Sequence, residues 1–313
     1  MPVKSKIILA PMEGVVDALM RDMLTQIGGF DLCVTEFVRV VENVMSDKVF
    51  YRICPELKND GFTPSGIPVK VQLLGQQPKA LAENAVKAVK LGSHGVDLNF
   101  GCPAKTVNKS KGGAVLLQYP ETLYDIVKAV RDSVPSEYPV TAKIRLGYEN
   151  TDNAFANAQA IAEAGADSLV IHARTKTDGY KPPAYWEWIP KIQAVVPNLH
   201  IIANGEIWNA DDAVRCRAVS QCSDIMLGRG ALSMPNLAAT IAHKQNPMTW
   251  DEVKELLISY SGYEIYGDKG RYYPNRIKQW LGYLKREYCQ ADELFMNIRR
   301  LQCSDEIVST LRR

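Results

Sequence analysis

Short apolar, β-branched runs alternate with longer amphipathic segments from the start of the chain to about residue 240. This is the rhythm of repeated strand–helix units around a parallel sheet. Eight runs read as strands: 7–10, 32–35, 69–73, 96–99, 140–144, 168–172, 200–203 and 224–227. Eight such units close a (β/α)8 barrel, so the expected fold class is α/β, a TIM barrel. Between them, residues 80–91 put Leu81, Ala85, Ala88 and Val89 on one stripe and Glu83, Lys87 and Lys90 elsewhere, which is the helical period. The alternation stops near Lys244-Gln245-Asn246-Pro247. Beyond it Thr249 and Glu252 form a capping-box pattern, and Ile277, Leu281, Leu284 and Tyr288 make an apolar stripe, both signs of helix. Two domains are expected: a barrel over 1–244 and a small all-α domain over 245–313, too small to bury much core alone and therefore packed on the barrel.

The polar residues sharpen this picture. Functional side chains of such barrels gather at the C-terminal ends of the strands, and here each strand supplies some: Met12-Glu13; Glu36 and Arg39; Gln72; Asn99 and Cys102; Lys143 and Arg145; His172 and Arg174; Asn204 and Glu206; Gly228 and Arg229. Two or three would be unremarkable in any α/β domain, whereas a contribution from every strand predicts one shared site at the barrel mouth.

Bulk composition adds little. The charged fraction of 23%, the hydrophobic fraction of 46% and the net charge of +2 are ordinary for a globular protein, so any nucleic-acid signal must be local. Seven cysteines, odd in number and without a C-x-x-C pair, predict a reducing cytoplasmic setting and no metal site. The first residues carry no signal-peptide core and no stretch is apolar enough to span a bilayer, so neither export nor membrane insertion is expected.

The segment Val96-Asp97-Leu98-Asn99-Phe100-Gly101-Cys102-Pro103 places a cysteine just past a strand, on a Gly/Pro-shaped turn over the mouth. A cysteine with a pKa of about 8.5 is mostly thiol at neutral pH and can act as a general acid. A nucleophile would want a base beside it, and no histidine is close on this loop. A buried structural thiol is the commoner fate of a free cysteine, and it suits Cys33, Cys216 or Cys222 better.

Continued through Ala104-Lys105-Thr106-Val107 to Gly112-Gly113-Ala114, this segment is similar to the signature of the tRNA-dihydrouridine synthases. Ala10-Pro11-Met12-Glu13-Gly14-Val15 with Asp17, Gln72, Lys143-Ile144-Arg145, His172-Ala173-Arg174-Thr175, Ala203-Asn204-Gly205-Glu206-Ile207 and Gly228-Arg229-Gly230-Ala231 follow in the family's order. The resemblance covers nearly the whole chain. Phe100 and Ala104 stand where relatives often carry Cys and Ser.

The resemblance implies FMN as cofactor and NADPH as electron donor, with hydride passing from the flavin to C6 of a uracil and Cys102 protonating C5. Gly205 and the Gly228-Arg229 turn then hold the FMN phosphate, as the loops after the seventh and eighth strands of barrels commonly do. Lys143 and His172 serve the phosphate or the electron-rich ring edge, Gln72 and Asn204 the ring heteroatoms or ribityl chain, and Pro11 and Met12 the flavin plane. Glu13 and Glu206 belong to the same cofactor set. The target base must be swung out of folded RNA into the pocket, with Asn99 and Arg174 as candidates for its polar edge and Tyr180 for the RNA beside it.

Residues 269–286 carry Lys269, Arg271, Arg276, Lys278, Lys285 and Arg286 without an acidic residue, interleaved with Tyr272, Tyr273, Trp280 and Tyr283. Such a mixture suits phosphate contact and base stacking, although most charge runs are simply solvated helix faces. Thr35-Glu36-Phe37-Val38-Arg39, Arg276-Ile277-Lys278-Gln279-Trp280, Tyr283 and Arg299 resemble the bacterial C-type subfamily, which acts on uridine 16 of the tRNA D-loop. That implies Arg39, Arg276, Lys278, Tyr283 and Arg299 as tRNA-orienting residues in a monomeric enzyme. Reduction at D-loop position 17 or 20, an FMN barrel working on a free pyrimidine such as dihydroorotate, and a tRNA chaperone that has lost its chemistry stand as alternatives.

Overall fold

A computed structural model describes residues 5–267 and 270–313. Eight parallel strands close into a barrel in sequence order: β1 (Ile7–Leu9), β2 (Leu32–Arg39), β3 (Val69–Leu74), β4 (Val96–Phe100), β5 (Val140–Gly147), β6 (Ser168–Thr175), β7 (His200–Asn204) and β8 (Ile225–Leu227). β1 pairs with both β2 and β8, which completes the ring.

All eight predicted strands are present. β2, β5 and β6 each run three or four residues past the apolar segment that marks them, because the backbone ladder continues into the polar mouth. The register shifts between Val34 and Phe37 and again between Arg145 and Gly147. The expected helix over 80–91 is observed at Pro78–Lys90, where Pro78 occupies the first turn, a position that needs no donor.

Side chains alternate between the barrel interior and the surrounding helices. Outward residues such as Val69, Val71, Leu73 and Val96 join the large core beneath the helices. Inside, Ile8, Val34, Val170, Ile202 and Met226 form a separate apolar cluster, while β3 to β5 place Lys70, Gln72, Asp97 and Thr141, all buried, in the same interior. One part of the barrel is therefore sealed by hydrocarbon and the other by a hydrogen-bonded polar network.

Beyond residue 244 the described chain is helical, with Trp250–Tyr266, Tyr273–Leu284, Cys289–Ile298 and Ser304–Leu311 as its α-helices. The capping box is formed: the Thr249 side chain accepts from the Glu252 backbone N–H, and Glu252 accepts from that of Thr249. Ile277, Leu281, Leu284 and Tyr288 are all buried, as the stripe predicts.

Polar contacts help tie this layer to the barrel. Trp280 donates its indole N–H to the Leu232 carbonyl at 3.2 Å, and the Arg276 guanidinium lies 3.0 Å from Asp17 Oδ1 and 2.7 Å from Glu264 Oε1. Among the described residues no helix is long and apolar enough to cross a membrane, and no group of His, Cys, Asp and Glu could hold a metal ion.

Candidate active site

The strand ends converge on a cavity of about 610 Å³ at the barrel mouth, within the ordinary range of a cofactor pocket. Cys102 lines it, and its loop is fixed from several sides. Asn99 Oδ1 accepts from the backbone N–H of Gly101 at 3.0 Å and of Cys102 at 2.9 Å. Asn108 Nδ2 donates to the carbonyl oxygens of Cys102 and Ala104 at 3.0 and 2.8 Å. Arg145 Nε donates to the Gly101 carbonyl at 2.9 Å. Gly113 closes over the same loop in the left-handed region (φ 66°), where a Cβ would stand 2.9 Å from the Cys102 carbonyl oxygen. Burial pushes the Cys102 thiol above its ordinary value, and nearby Glu13 adds to the rise, against lowering contributions from the Ala104 backbone and Arg145. Glu13, at the open edge, has its carboxyl raised to about 6 by partial burial and by Glu36.

Across the cavity the chemistry is cationic. Lys143 donates to Asn204 Oδ1 at 3.1 Å, and burial with Arg145 as neighbour brings its pKa down to about 8. His172 is held well below its ordinary value by burial and then by Arg145, Lys143, Arg174 and Arg229, so its imidazole is neutral. Arg174 Nη1 and His172 Nε2 are 3.2 Å apart. Because the guanidinium can only donate, Nε2 accepts and the ring proton resides on Nδ1.

Burial and the neighbouring Arg229 and Arg145 lower Arg174 to about 10. Glu206 answers part of this charge: it accepts from Arg174 and from the Trp208 indole N–H, the latter at 2.7 Å, and lies 4.0 Å from Arg229. Gly205 (φ 115°) makes the turn possible, since a Cβ there would stand 2.8 Å from His172 Cδ2. Cations that depress one another leave this side of the cavity with positive charge that a neighbouring anion would relieve.

A family model described as Dihydrouridine synthase (Dus) matches residues 8–300. The chain belongs to the dihydrouridine synthase family. It is 59% identical over 306 residues to the tRNA-dihydrouridine(16) synthase of Shewanella oneidensis, covering 98% of this chain and 97% of that one. It is 50% identical over 308 residues to the protein of the same name from Escherichia coli K12, covering 98% of each. The barrel also resembles 2-naphthoyl-CoA reductase in complex with 2-naphthoyl-CoA (TM-score 0.59, 13% identity, 77% of this chain and 50% of that one). A similar likeness holds for Eimeria tenella DHODH in complex with ferulenol (TM-score 0.54, 12% identity, 75% and 80%). At such identities these two likenesses show the fold.

The cavity of this dihydrouridine synthase family member brings together most of the residues singled out from sequence. Pro11, Met12, Glu13, Gln72, Asn99, Cys102, Lys143, His172, Tyr180, Asn204, Gly205, Glu206, Gly228 and Arg229 line it, and Tyr283 reaches it from the helical layer. Arg39 is exposed and donates to Ser110; it lines a smaller neighbouring cavity that shares Cys102.

Arg174 stands outside the lining. It is fully buried, with its guanidinium committed to His172, Glu206 and the carbonyls of Lys181 and Pro183. Arg276, expected on the RNA-docking surface, is instead in the seam with Asp17, Glu264 and Tyr260. Lys278 donates to the Leu301 carbonyl, and Arg299 is exposed next to Met296.

Two aromatics expected to stack on RNA, Tyr273 and Trp280, are core residues, whereas Tyr272 is exposed. Lys269 lies outside the described residues. Glu36 and Arg145, placed at the mouth from sequence without a role, line the cavity as well, and Phe37 and Trp208 line it without having been assigned to it from sequence. Trp208 sits between Arg229 and Arg286, at 5.0 and 3.8 Å from its ring centre, and its position directly after the Gly205-Glu206-Ile207 turn was the available signal.

Proposed function

We propose that this protein reduces uridine 16 of the tRNA D-loop to 5,6-dihydrouridine, with FMN in the barrel-mouth cavity and NADPH as electron donor. The observation that carries this reading is the conjunction of a cavity-facing thiol at Cys102 with full-length relatives named for that product.

The residues suit the cofactor. The cations Lys143, Arg145 and Arg229 beside a neutral His172 favour a phosphate. Gly205 and Gly228 keep the backbone bare on that side, while Gln72 and Asn204 offer amides for ring or ribityl atoms. Pro11 and Met12 supply an apolar face, and Glu13 and Glu206 border the same space.

A flavin held by these residues would supply hydride-transfer chemistry toward C6 of the uracil. Cys102 does the complementary work: its raised pKa keeps the proton on Sγ near neutral pH, and it delivers that proton to C5. Asn99 holds the loop and can offer its remaining amide N–H to the base edge. Arg174 acts from behind, fixing Glu206 and the His172 tautomer. Tyr180, half-exposed between Arg145 and Arg229 at 5.2 and 4.6 Å, can stack on RNA at the mouth.

The helical region 245–313 is proposed as the tRNA-docking domain of a monomeric, cytoplasmic enzyme. Arg39, Tyr283, Arg286 and Arg299 face the RNA, and Arg276 and Lys278 hold the docking surface in place. Cys102→Ala should bind flavin as the wild type does and lose about 100-fold or more of its turnover on tRNA. Dihydrouridine formation at near-wild-type rate by the flavin-loaded variant overturns the acid assignment.

A further inference from the structure

The interior beneath Cys102 holds an acid that the chemistry above does not use. Asp97 on β4 is 1% exposed and stands in register between Gln72 on β3 and Thr141 on β5. Its Oδ1 accepts from the Thr141 hydroxyl at 2.6 Å and its Oδ2 from Gln72 Nε2 at 2.7 Å. Gln72 Oε1 in turn accepts from Asn99 Nδ2 at 2.7 Å, and Asn99 Oδ1 accepts from the backbone N–H groups of Gly101 and Cys102. On the other side Lys70 Nζ lies 3.4 Å from Thr141 Oγ1.

A side-chain amide can present either its oxygen or its NH2 to a neighbour. Here both ends of the chain forbid a choice. A carboxylate only accepts, so Gln72 must turn its NH2 to Asp97 and its oxygen to Asn99. Asn99 must then give its NH2 to Gln72, which leaves its oxygen for the loop. Beginning from the Gly101 and Cys102 N–H groups, which only donate, leads to the same arrangement. Turning either amide over sets oxygen against oxygen or NH2 against NH2 in a buried site, at roughly 1–3 kcal/mol for each group left unsatisfied.

We propose that Asp97 is a positioning residue for the reaction: through Gln72 and Asn99 it fixes the hydrogen-bond polarity that holds the Cys102 loop and aims its thiol into the cavity. The same relay decides what the two amides show a ligand. Gln72 keeps one N–H and one oxygen lone pair, and Asn99 keeps one N–H. A carboxamide in place of the acid can present NH2 as well as oxygen, which leaves the loop N–H groups as the one fixed end of the relay, so Asp97→Asn weakens the rule while leaving size and shape almost unchanged.

The test compares wild type with flavin-loaded Asp97→Asn in three readings: thermal midpoint, iodoacetamide labelling of Cys102 at neutral pH with exposed Cys289 as internal reference, and reoxidation of the prereduced enzyme by tRNA. Cys102 labelling should rise about tenfold relative to Cys289, and reoxidation should slow about 100-fold with the KM for tRNA changed less than about twofold. Labelling within about twofold of wild type overturns the proposal whatever happens to the thermal midpoint, as does reoxidation at the wild-type rate. If Asp97→Asn does not fold, the double variant Lys70→Met/Asp97→Asn, which removes the buried cation together with its counter-charge, is subject to the same readings. The inference rests on the function proposed above only in its tRNA arm. A wild-type enzyme that tRNA fails to reoxidise refutes that function, while labelling still decides the role of Asp97.

Discussion

Cys102 shows how a thiol is kept protonated without being buried out of reach. Its loop is held by Asn99, Asn108 and Arg145, and the net effect of its surroundings is a pKa above the ordinary thiol value. Alkylation requires thiolate, so a raised pKa means slow labelling at neutral pH and a rate that climbs only as the pH passes the raised value. Peptide mapping after brief iodoacetamide treatment near neutral pH should find exposed Cys289 and Cys303 modified well before Cys102. Prior modification of Cys102 would contradict its assignment as a proton-holding acid. Its place at the cavity was legible in the sequence because a Gly/Pro turn directly after a barrel strand puts its residues at the mouth. The contacts of Arg174 and Arg276 were not legible for a physical reason: position in the chain tells that an arginine lies near the mouth or on a helix, but its partners decide whether it faces the cavity or the protein. His172 is a neighbour two positions away on the same face of β6, but Glu206 for Arg174 and Asp17 and Glu264 for Arg276 lie on other elements, and no local pattern connects them.

At the scale of elements, the strands were legible because parallel strands are buried on both faces and read as continuous apolar runs. Their ends were not, since β2, β5 and β6 go on pairing after the apolar residues stop. Helix 18–27 and the 3-10 segment Pro55–Asn59 were not read from sequence as a pair, yet a fully buried ion pair joins them. Arg21 contacts both Glu56 oxygens at 2.7 and 2.8 Å and also donates to the carbonyls of Val16 and Ile53. Burial and charge compensation are mutually dependent there. Arg21→Met should lower stability by about 3–5 kcal/mol by stranding the buried Glu56 carboxylate. Urea unfolding would measure it, and a loss below about 1 kcal/mol would show that the carboxylate finds another partner or takes up a proton.

For the molecule as a whole, the decisive junction is the seam between barrel and helical layer, where Arg276 bridges Asp17 at the start of helix Ala18–Ile27 to Glu264 on helix Trp250–Tyr266. Tyr260 packs edge-to-face on Trp280 at 5.0 Å beside it. Arg276→Met takes the shared cation from between two carboxylates and should cost about 3 kcal/mol, loosening the helical layer before the barrel. Limited proteolysis should cut beyond residue 244 while flavin stays bound; an unchanged cleavage pattern would place the stability of the seam in its apolar contacts. The seam also explains how Tyr283 reaches the cavity from outside the barrel, so the surface proposed for RNA and the pocket proposed for its base are parts of one rim. The measurement that bears most directly on this account is position-resolved mapping of dihydrouridine in tRNA from a strain that lacks the position-16 modification and expresses this chain. Restored dihydrouridine at position 16, with 17 and 20 unchanged, is the expected result; new dihydrouridine at 17 or 20 with uridine remaining at 16 would contradict it.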